Sequence, residues 1–206
     1  MAKYAMAIDL KACIGCHTCS VACKTANNLP KDMWWLNVKT DGADVMDNST
    51  GVFPNALLSY TPVNCMHCDN APCVAACPTG ATFKREDGIV VMDADKCVGC
   101  GACVAACPYD GVRTLNTEEP AYDVDFALGA ADAPKHKANT VEKCTFCVNR
   151  VDKGEKPYCI DACPARCRVF GDIEDPESEI SKLLKEREYK RLGEEKGTGP
   201  NIFYLI

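Results

Sequence analysis

Residues 97–108 read CVGCGACVAACP, and the spacing of their cysteines decides how the rest of the chain is read. Cys97, Cys100, Cys103 and Cys107 stand at C-x2-C-x2-C-x3-C intervals, with a proline directly behind. Three thiolates spaced this way, on a loop that wraps a corner, can reach three irons of one cubane. Gly99 and Gly101 lack a Cβ, which lets the backbone come close and aim N–H groups at sulfur. The last cysteine lies a helical turn further on and points away, towards a neighbouring cluster. Proline after it stops the chain from continuing the same helix and frees it for the next strand.

Working outward, three more groups appear. Cys13, Cys16, Cys19 and Cys23 sit in CIGCHTCSVACK, which keeps the same ferredoxin spacing but has Lys24 in place of the proline. Cys65, Cys68, Cys73 and Cys77 sit in CMHCDNAPCVAACP, and Cys144, Cys147, Cys159 and Cys163 in CTFCVNRVDKGEKPYCIDACP. These two groups stretch the middle interval and keep the final C-x3-C. Zinc is the competing metal, since two CxxC pairs make a four-thiolate zinc site. Such sites use pairs and have no need of a CxxCxxC triplet with an offset fourth ligand. The spacing therefore points to iron–sulfur clusters.

Between Cys77 and Cys97 lies PTGATFKREDGIVVMDADK, which predicts a β-hairpin: Ala81 to Lys84, a turn at Glu86-Asp87-Gly88, then Ile89 to Met92. A group, a hairpin and another group make a complete two-cluster ferredoxin module over 60–115. The first and fourth groups are left as the other couple, so a second module is expected from both chain ends, 1–59 and 116–206. On this reading Cys13, Cys16, Cys19 and Cys163 hold one cluster, and Cys144, Cys147, Cys159 and Cys23 its neighbour. Cys65, Cys68, Cys73 and Cys107 hold a third, and Cys97, Cys100, Cys103 and Cys77 a fourth. The predicted fold is α+β: a double ferredoxin fold, one module inserted in the other, with short hairpins and a C-terminal helix.

Composition agrees with a globular chain: 47% of 206 residues are hydrophobic. Cysteine is the outlier, at 17. In a secreted chain that density would suggest disulfides, but MAKYAMAIDLKAC has no apolar core, cleavage site or twin-arginine pair of an export signal. No run approaches the length of a membrane span. The net charge of -6 excludes the basic face of a nucleic-acid binder.

The connecting segments carry less signal. LNVKT and ALLSYTPV read as strands joined by a polar loop with Asp41, Gly42, Asp44, Asp47 and Gly51. Residues 116–142 show little periodicity, and a loop this long suggests a docking surface. DPESEISKLLKEREYKRLG predicts a helix capped by Asp175, with Pro176 in its first turn, an apolar stripe of Ile180, Leu183, Leu184 and Leu192, and a stop at Gly193. The tail from Ile202 to Ile206 predicts a short apolar strand, buried on this chain or on a partner, with surface that a monomer would struggle to cover. Cys167, the odd thiol, reads as a small buried side chain starting the strand CRVFGD. His17 and His67 lie inside ligand loops without a direct ligand role, and His136 reads as a solvated loop residue. Lys143, Arg150, Lys153 and Lys156 flank the fourth group, either favouring a reduced cluster or forming a solvated face. Trp34 and Trp35 read as core or interface anchors.

The four-group layout, the PTGATFKREDG hairpin, VEKCTFCVNRVDKGEKPYCIDACP and the ending GTGPNIFYLI resemble the electron-transfer β subunit of molybdopterin oxidoreductases. The likeness covers essentially the whole chain and is strongest to the dimethyl sulfoxide, polysulfide and arsenate reductase branch. It implies an electron carrier between a large molybdenum- or tungsten-pterin catalytic subunit and a quinone-linked membrane anchor, or another donor. Nitrate reductase relatives place tryptophan at the second cysteine of the third group and hold a three-iron cluster there. Cys100 stands at that position, so a four-iron cluster is implied. Formate dehydrogenase relatives append a C-terminal membrane helix, which is not seen here ahead of the last residue, Ile206.

Four [4Fe-4S] clusters acting as a one-electron wire are therefore expected. No nucleophile–base pair or phosphate loop is visible, so the chain alone is not expected to turn over a substrate. Its location is expected to be cytoplasmic, or exported folded on a signal-bearing partner, with membrane association through an anchor subunit. A free-standing polyferredoxin and a zinc-stabilised structural adaptor are the alternatives. A co-eluting large subunit would exclude the first, and a brown colour with broad visible absorbance the second.

Overall fold

A computed structural model of the chain describes residues 2–42, 46–122 and 124–206. In chain order, β1 (Tyr4–Asp9) leads to α1 (Thr18–Ala26), then β2 (Leu36–Thr40) and β3 (Tyr60–Asn64). The short helix α2 (Pro72–Ala75) precedes β4 (Thr82–Lys84) and β5 (Val90–Met92), and α3 (Ala102–Ala105) precedes β6 (Arg113–Asn116). There follow β7 (Thr140–Lys143), α4 (Val148–Val151), α5 (Tyr158–Asp161), β8 (Arg168–Asp172), α6 (Glu179–Glu186), β9 (Tyr189–Lys190), a 3-10 turn (Glu194–Lys196) and β10 (Ile202–Leu205).

The largest sheet has the order β8-β1-β10-β9 and ties the two chain ends together. β1 runs parallel to β10, with Met6 opposite Ile202, and antiparallel to β8, with Met6 opposite Phe170. Both faces of β1 are covered, which is why AMAI is an unbroken apolar run rather than an alternating one. Ala5 and Ala7 meet Ile180, Phe203 and Leu205 on one face, while Met6 and Ile8 join the main core, where many cysteines lie. The apolar tail is thus a central strand of this chain's own sheet and not spare surface: Ile202 to Leu205 are buried and only Ile206 is exposed. The Tyr204 hydroxyl donates to the Pro62 carbonyl at 2.9 Å, pinning the tail across the molecule.

The hairpin over Thr82–Met92 forms as predicted, with Thr82 opposite Met92. LNVKT is β2, whereas the second strand begins only at Tyr60; Leu57 makes an isolated bridge to Thr50 and is exposed. Asp44, placed in the loop between these strands, lies outside the described residues.

The C-terminal helix is shorter than predicted. Ser178 is its cap, its hydroxyl accepting from the Ser181 N–H at 3.2 Å, and the helix ends at Glu186. Asp175 instead closes a preceding turn, accepting from the Glu177 N–H at 2.9 Å, and Leu192 lies beyond the helix on the surface. Ile180 is the anchor of α6: it is fully buried, worth roughly 1.5–3 kcal/mol of transfer free energy. Gly171 on β8 admits it, since a Cβ there would approach Ile180 Cγ2 to 3.2 Å.

The long segment after β6 returns to pair β7 with it, Asn116 opposite Thr140. On the way it is tethered to the end of α1: the Ala130 N–H donates to the Ala26 carbonyl at 3.1 Å and the Leu128 N–H to Asn28 Oδ1 at 2.9 Å. Gly129, at φ +95, is required there, because a Cβ would lie 2.0 Å from the Thr25 carbonyl oxygen.

Candidate metal centres

All four C-x-x-C turns share one backbone device. The residue before the second cysteine has positive φ in each: Gly15 at +67, His67 at +44, Gly99 at +64 and Phe146 at +55. This left-handed step reverses the chain between the two cysteines, and glycine adopts it without strain. At Gly15 a Cβ would sit 2.3 Å from the Tyr60 ring, and at Gly99 2.5 Å from the Asn139 carbonyl oxygen. In the other two turns the strained residues are aromatic. The rings of His67 and Phe146 stack on each other, centroids 3.7 Å apart and 21° from parallel.

The turns bring distant cysteines together. Cys13, Cys16, Cys19 and Cys163 line one space with Pro62, Cys167 and Arg168. Cys65, Cys68, Cys73 and Cys107 line a second with Tyr109, Val112 and Arg113. Cys23, near the end of α1, is buried, and the charges acting on it come first from Cys144, Cys159 and Cys147. α1 packs on α5, which carries Cys159. Cys77 follows α2, which packs on α3, the helix that carries Cys103.

Burial separates these thiols sharply. Cys144 and Cys159 are pushed above the ordinary thiol value by burial, Cys147 up to about 12 and Cys68 up to about 11 by the same cause. Such groups become thiolates only when a cation takes the proton's place. At the surface the order reverses. The Cys167 thiol brings Cys13 down to about 6. Burial works against Cys77, but N–H and hydroxyl donors, the Thr82 N–H first among them, bring it down to about 7. Direct donors to sulfur include Thr82 N–H to Cys77 at 3.3 Å, Phe146 N–H to Cys144 at 3.5 Å, and the Asn27 and Asn64 amides to Cys23 and Cys144, each at 3.7 Å. Donors of this kind stabilise the more negative state of a thiolate-bound metal.

Cys167 is buried, as expected, but stands directly before β8, with its sulfur 3.5 Å from that of Cys163. His67 is fully buried and accepts from the Val90 N–H at 3.1 Å; burial, aided by Lys143 and Arg113, keeps it neutral. His17, half-buried, faces Asp47 at 3.6 Å. His136 is not a solvated loop residue. It is enclosed, 2.7 Å from Glu142 and 2.9 Å from the Asn27 carbonyl, because the segment after β6 folds back onto α1. Lys143 is likewise internal and donates to the Val90 and Cys144 carbonyls. Arg150, Lys153 and Lys156 form the predicted outer face, paired with Asp161, Asp132 and Glu179. Trp35 is core, and Trp34 packs under the Lys24 ammonium. Sequence reading missed Asn27, whose amide reaches Cys23 four residues earlier on α1, and Asn64, Tyr109, Arg113 and Arg168, which sit beside cysteines of other segments. Only the two arginines carried a signal: each stands five or six residues beyond the cysteine of a Cys-Pro pair.

Tetrahedral zinc needs its donors gathered about one point. Thiols set around an apolar space, with amide donors and guanidinium groups at its edge, suit the larger anionic cubane. The turns and the hairpin between them define a protein of the ferredoxin-like iron–sulfur class.

Comparison with known proteins agrees. Two families, each described as a 4Fe-4S dicluster domain, match the chain, one at residues 56–127 and 130–173 and the other at 12–81. A Halobacterium salinarum protein named as the iron–sulfur subunit of a dimethyl sulfoxide reductase is 43% identical over 211 residues, covering 100% of this chain and 79% of that one. The iron–sulfur subunit of a Shewanella arsenate respiratory reductase is 38% identical, covering 98% and 96%. A polysulfide reductase chain of Wolinella succinogenes is 38% identical, covering 98% and 94%. The protein belongs to this family of reductase iron–sulfur subunits, and it carries four [4Fe-4S] clusters.

Proposed function

We propose that the chain is the electron-transfer subunit of a reductase complex, passing single electrons through its four clusters to or from a molybdenum- or tungsten-pterin catalytic subunit. It does not turn over substrate alone. The observation that carries this reading is the distribution of thiols: Cys16 and Cys100 are exposed, whereas Cys23, Cys144, Cys147, Cys159, Cys65, Cys68 and Cys73 are buried. Two centres at the surface joined by two in the interior suit a wire between two separate partners. Each relative above is named as a subunit or chain of a reductase.

In this reading the ligand sets are crossed. Cys163 completes the set of Cys13, Cys16 and Cys19, and Cys23 that of Cys144, Cys147 and Cys159. Cys107 completes the set of Cys65, Cys68 and Cys73, and Cys77 that of Cys97, Cys100 and Cys103. The fold is two ferredoxin-like modules, 60–115 inserted in one built from 1–59 and 116–206. The sheet that unites β1, β8 and β10 supports this nesting, as does the hairpin set between the second and third groups.

Among the described residues no helix is long and apolar enough to cross a membrane. Location is therefore assigned to the partners: a catalytic subunit that sets the compartment and an anchor subunit that gives access to quinone. Size-exclusion of native extract tests the function. The chain is expected to elute with a much larger pterin-containing polypeptide, and its dithionite-reduced clusters to reoxidise when that enzyme's substrate is added. Elution alone, with free electron exchange among several soluble enzymes, would replace this reading with a free-standing polyferredoxin.

A further inference from the structure

Two arginines are buried without the partners that a buried cation needs. Arg113 is 5% exposed, and among the described residues none of its Nε, Nη1 and Nη2 has a hydrogen-bond partner. Arg168 is 3% exposed; its Nη2 donates to Met6 Sδ and Asn64 Oδ1, both at 3.2 Å, while Nε and Nη1 have none. An isolated charge taken out of water is costly, and buried donors are normally paired. The buried Lys143 shows the ordinary solution, with two carbonyls around its ammonium. The arginines instead face sulfur. Arg113 shares its space with Cys65, Cys73 and Cys107, and Arg168 with Cys13, Cys19 and Cys163.

The two occupy matching places. Arg113 opens β6, six residues after Cys107, and Arg168 opens β8, five after Cys163. Each lines one of the cysteine-walled spaces described above. Each also neighbours the other set of its pair: β6 packs on α3, which carries Cys103, and β8 on α5, which carries Cys159. Resting on the crossed ligand sets, we propose that Arg113 and Arg168 are the internal counter-charges of the two cluster pairs, each raising the reduction potentials of both clusters in its own pair.

The physical basis is charge. A thiolate-bound cluster is anionic and gains one more negative charge on reduction. A fixed cation beside it favours the reduced state, and more strongly where water is excluded. A guanidinium keeps its charge when it is buried. Because each cation lines one ligand set and its strand packs on the helix of the neighbouring set, it would act on both and leave the distant pair alone. These are positioning residues for the electron path and touch no substrate.

Potentiometric titration of the anaerobically prepared holo-protein, followed by EPR, tests this. R113M and R113Q are expected to lower the reduction equilibria of two of the four clusters at least tenfold, which is 59 mV for a one-electron couple. R168M is expected to lower the other two, and R113K and R168K to stay within threefold of the parent. Neutral variants that keep their iron with all four potentials unmoved would overturn the proposal, as would equal shifts at every cluster. Neutral variants that fail to assemble a pair, while the lysine variants succeed, would make the arginines assembly elements and overturn it too. A parent protein with zinc in place of iron fails the ligand reading itself, before any arginine is changed.

Discussion

The C-x-x-C turns of the first and third groups and those of the second and fourth share a backbone and differ in everything around it. The outer pair, Cys13–Cys16 and Cys97–Cys100, uses glycine at the positive-φ position and presents Ile14 and Val98 to solvent, each 63% exposed. The inner pair, Cys65–Cys68 and Cys144–Cys147, places His67 and Phe146 there, both enclosed and stacked on each other. One motif therefore serves two purposes. With glycine it makes a thin wall at the surface. With an aromatic ring it makes a joint in the interior, where two cysteine loops are held face to face.

The largest effect should come from breaking the joint. Phe146→Ala removes a ring that is 1% exposed and stacks on His67. It is expected to cost about 3–5 kcal/mol and to speed iron release. Ile14→Ala on the outer turn should stay within about 0.5 kcal/mol. Thermal release of iron from the two variants compares them directly, and equal rates would abolish the distinction between joint and wall.

Next in size is the loss of an outer ligand. Cys100→Ser should leave the fold intact and convert one cluster to a three-iron form with its own EPR signal in the oxidised protein. The same signal in the intact parent would show that Cys100 is not a ligand.

Backbone substitutions sharpen the comparison further. Gly99→Ala drives a Cβ to 2.5 Å from the Asn139 carbonyl oxygen and should cost about 2–3 kcal/mol in denaturant unfolding. At Gly101, also at positive φ, the nearest atom is Leu115 Cδ2 at 3.8 Å, so alanine there should cost only about 1 kcal/mol of conformational strain. Similar losses at both sites would mean that the close approach of the β6–β7 connection does not constrain the outer turn.

The smallest effect is expected at Cys167. Although its sulfur lies 3.5 Å from that of Cys163, Cys167→Ser should leave iron content and every cluster signal unchanged, with a stability loss of about 1 kcal/mol. Loss of a cluster in that variant would make Cys167 a ligand.

Local pattern carried much of this into the sequence. The hairpin at Thr82–Met92 was legible because strand residues flank a Gly-containing turn, and β10 because five apolar residues follow Gly-Pro-Asn. What stayed hidden depends on where the chain returns. Nothing near His136 announces Glu142 and the Asn27 carbonyl as its partners, since the second is 109 residues away. Asp175 and Ser178 are both good caps, and the choice is made by the Asp172 carbonyl, which accepts from the Ser178 hydroxyl at 2.6 Å. Arg113 and Arg168 look like ordinary strand starters until the cysteines of other segments gather round them.

The central claim is that the two chain ends share a pair of cluster sites. A holo-protein structure with iron positions fixed by anomalous scattering tests it most directly. Cys23 is expected on the cluster bound by Cys144, Cys147 and Cys159, and Cys163 on that of Cys13, Cys16 and Cys19. Finding Cys23 on the same cluster as Cys13, Cys16 and Cys19 would contradict the account.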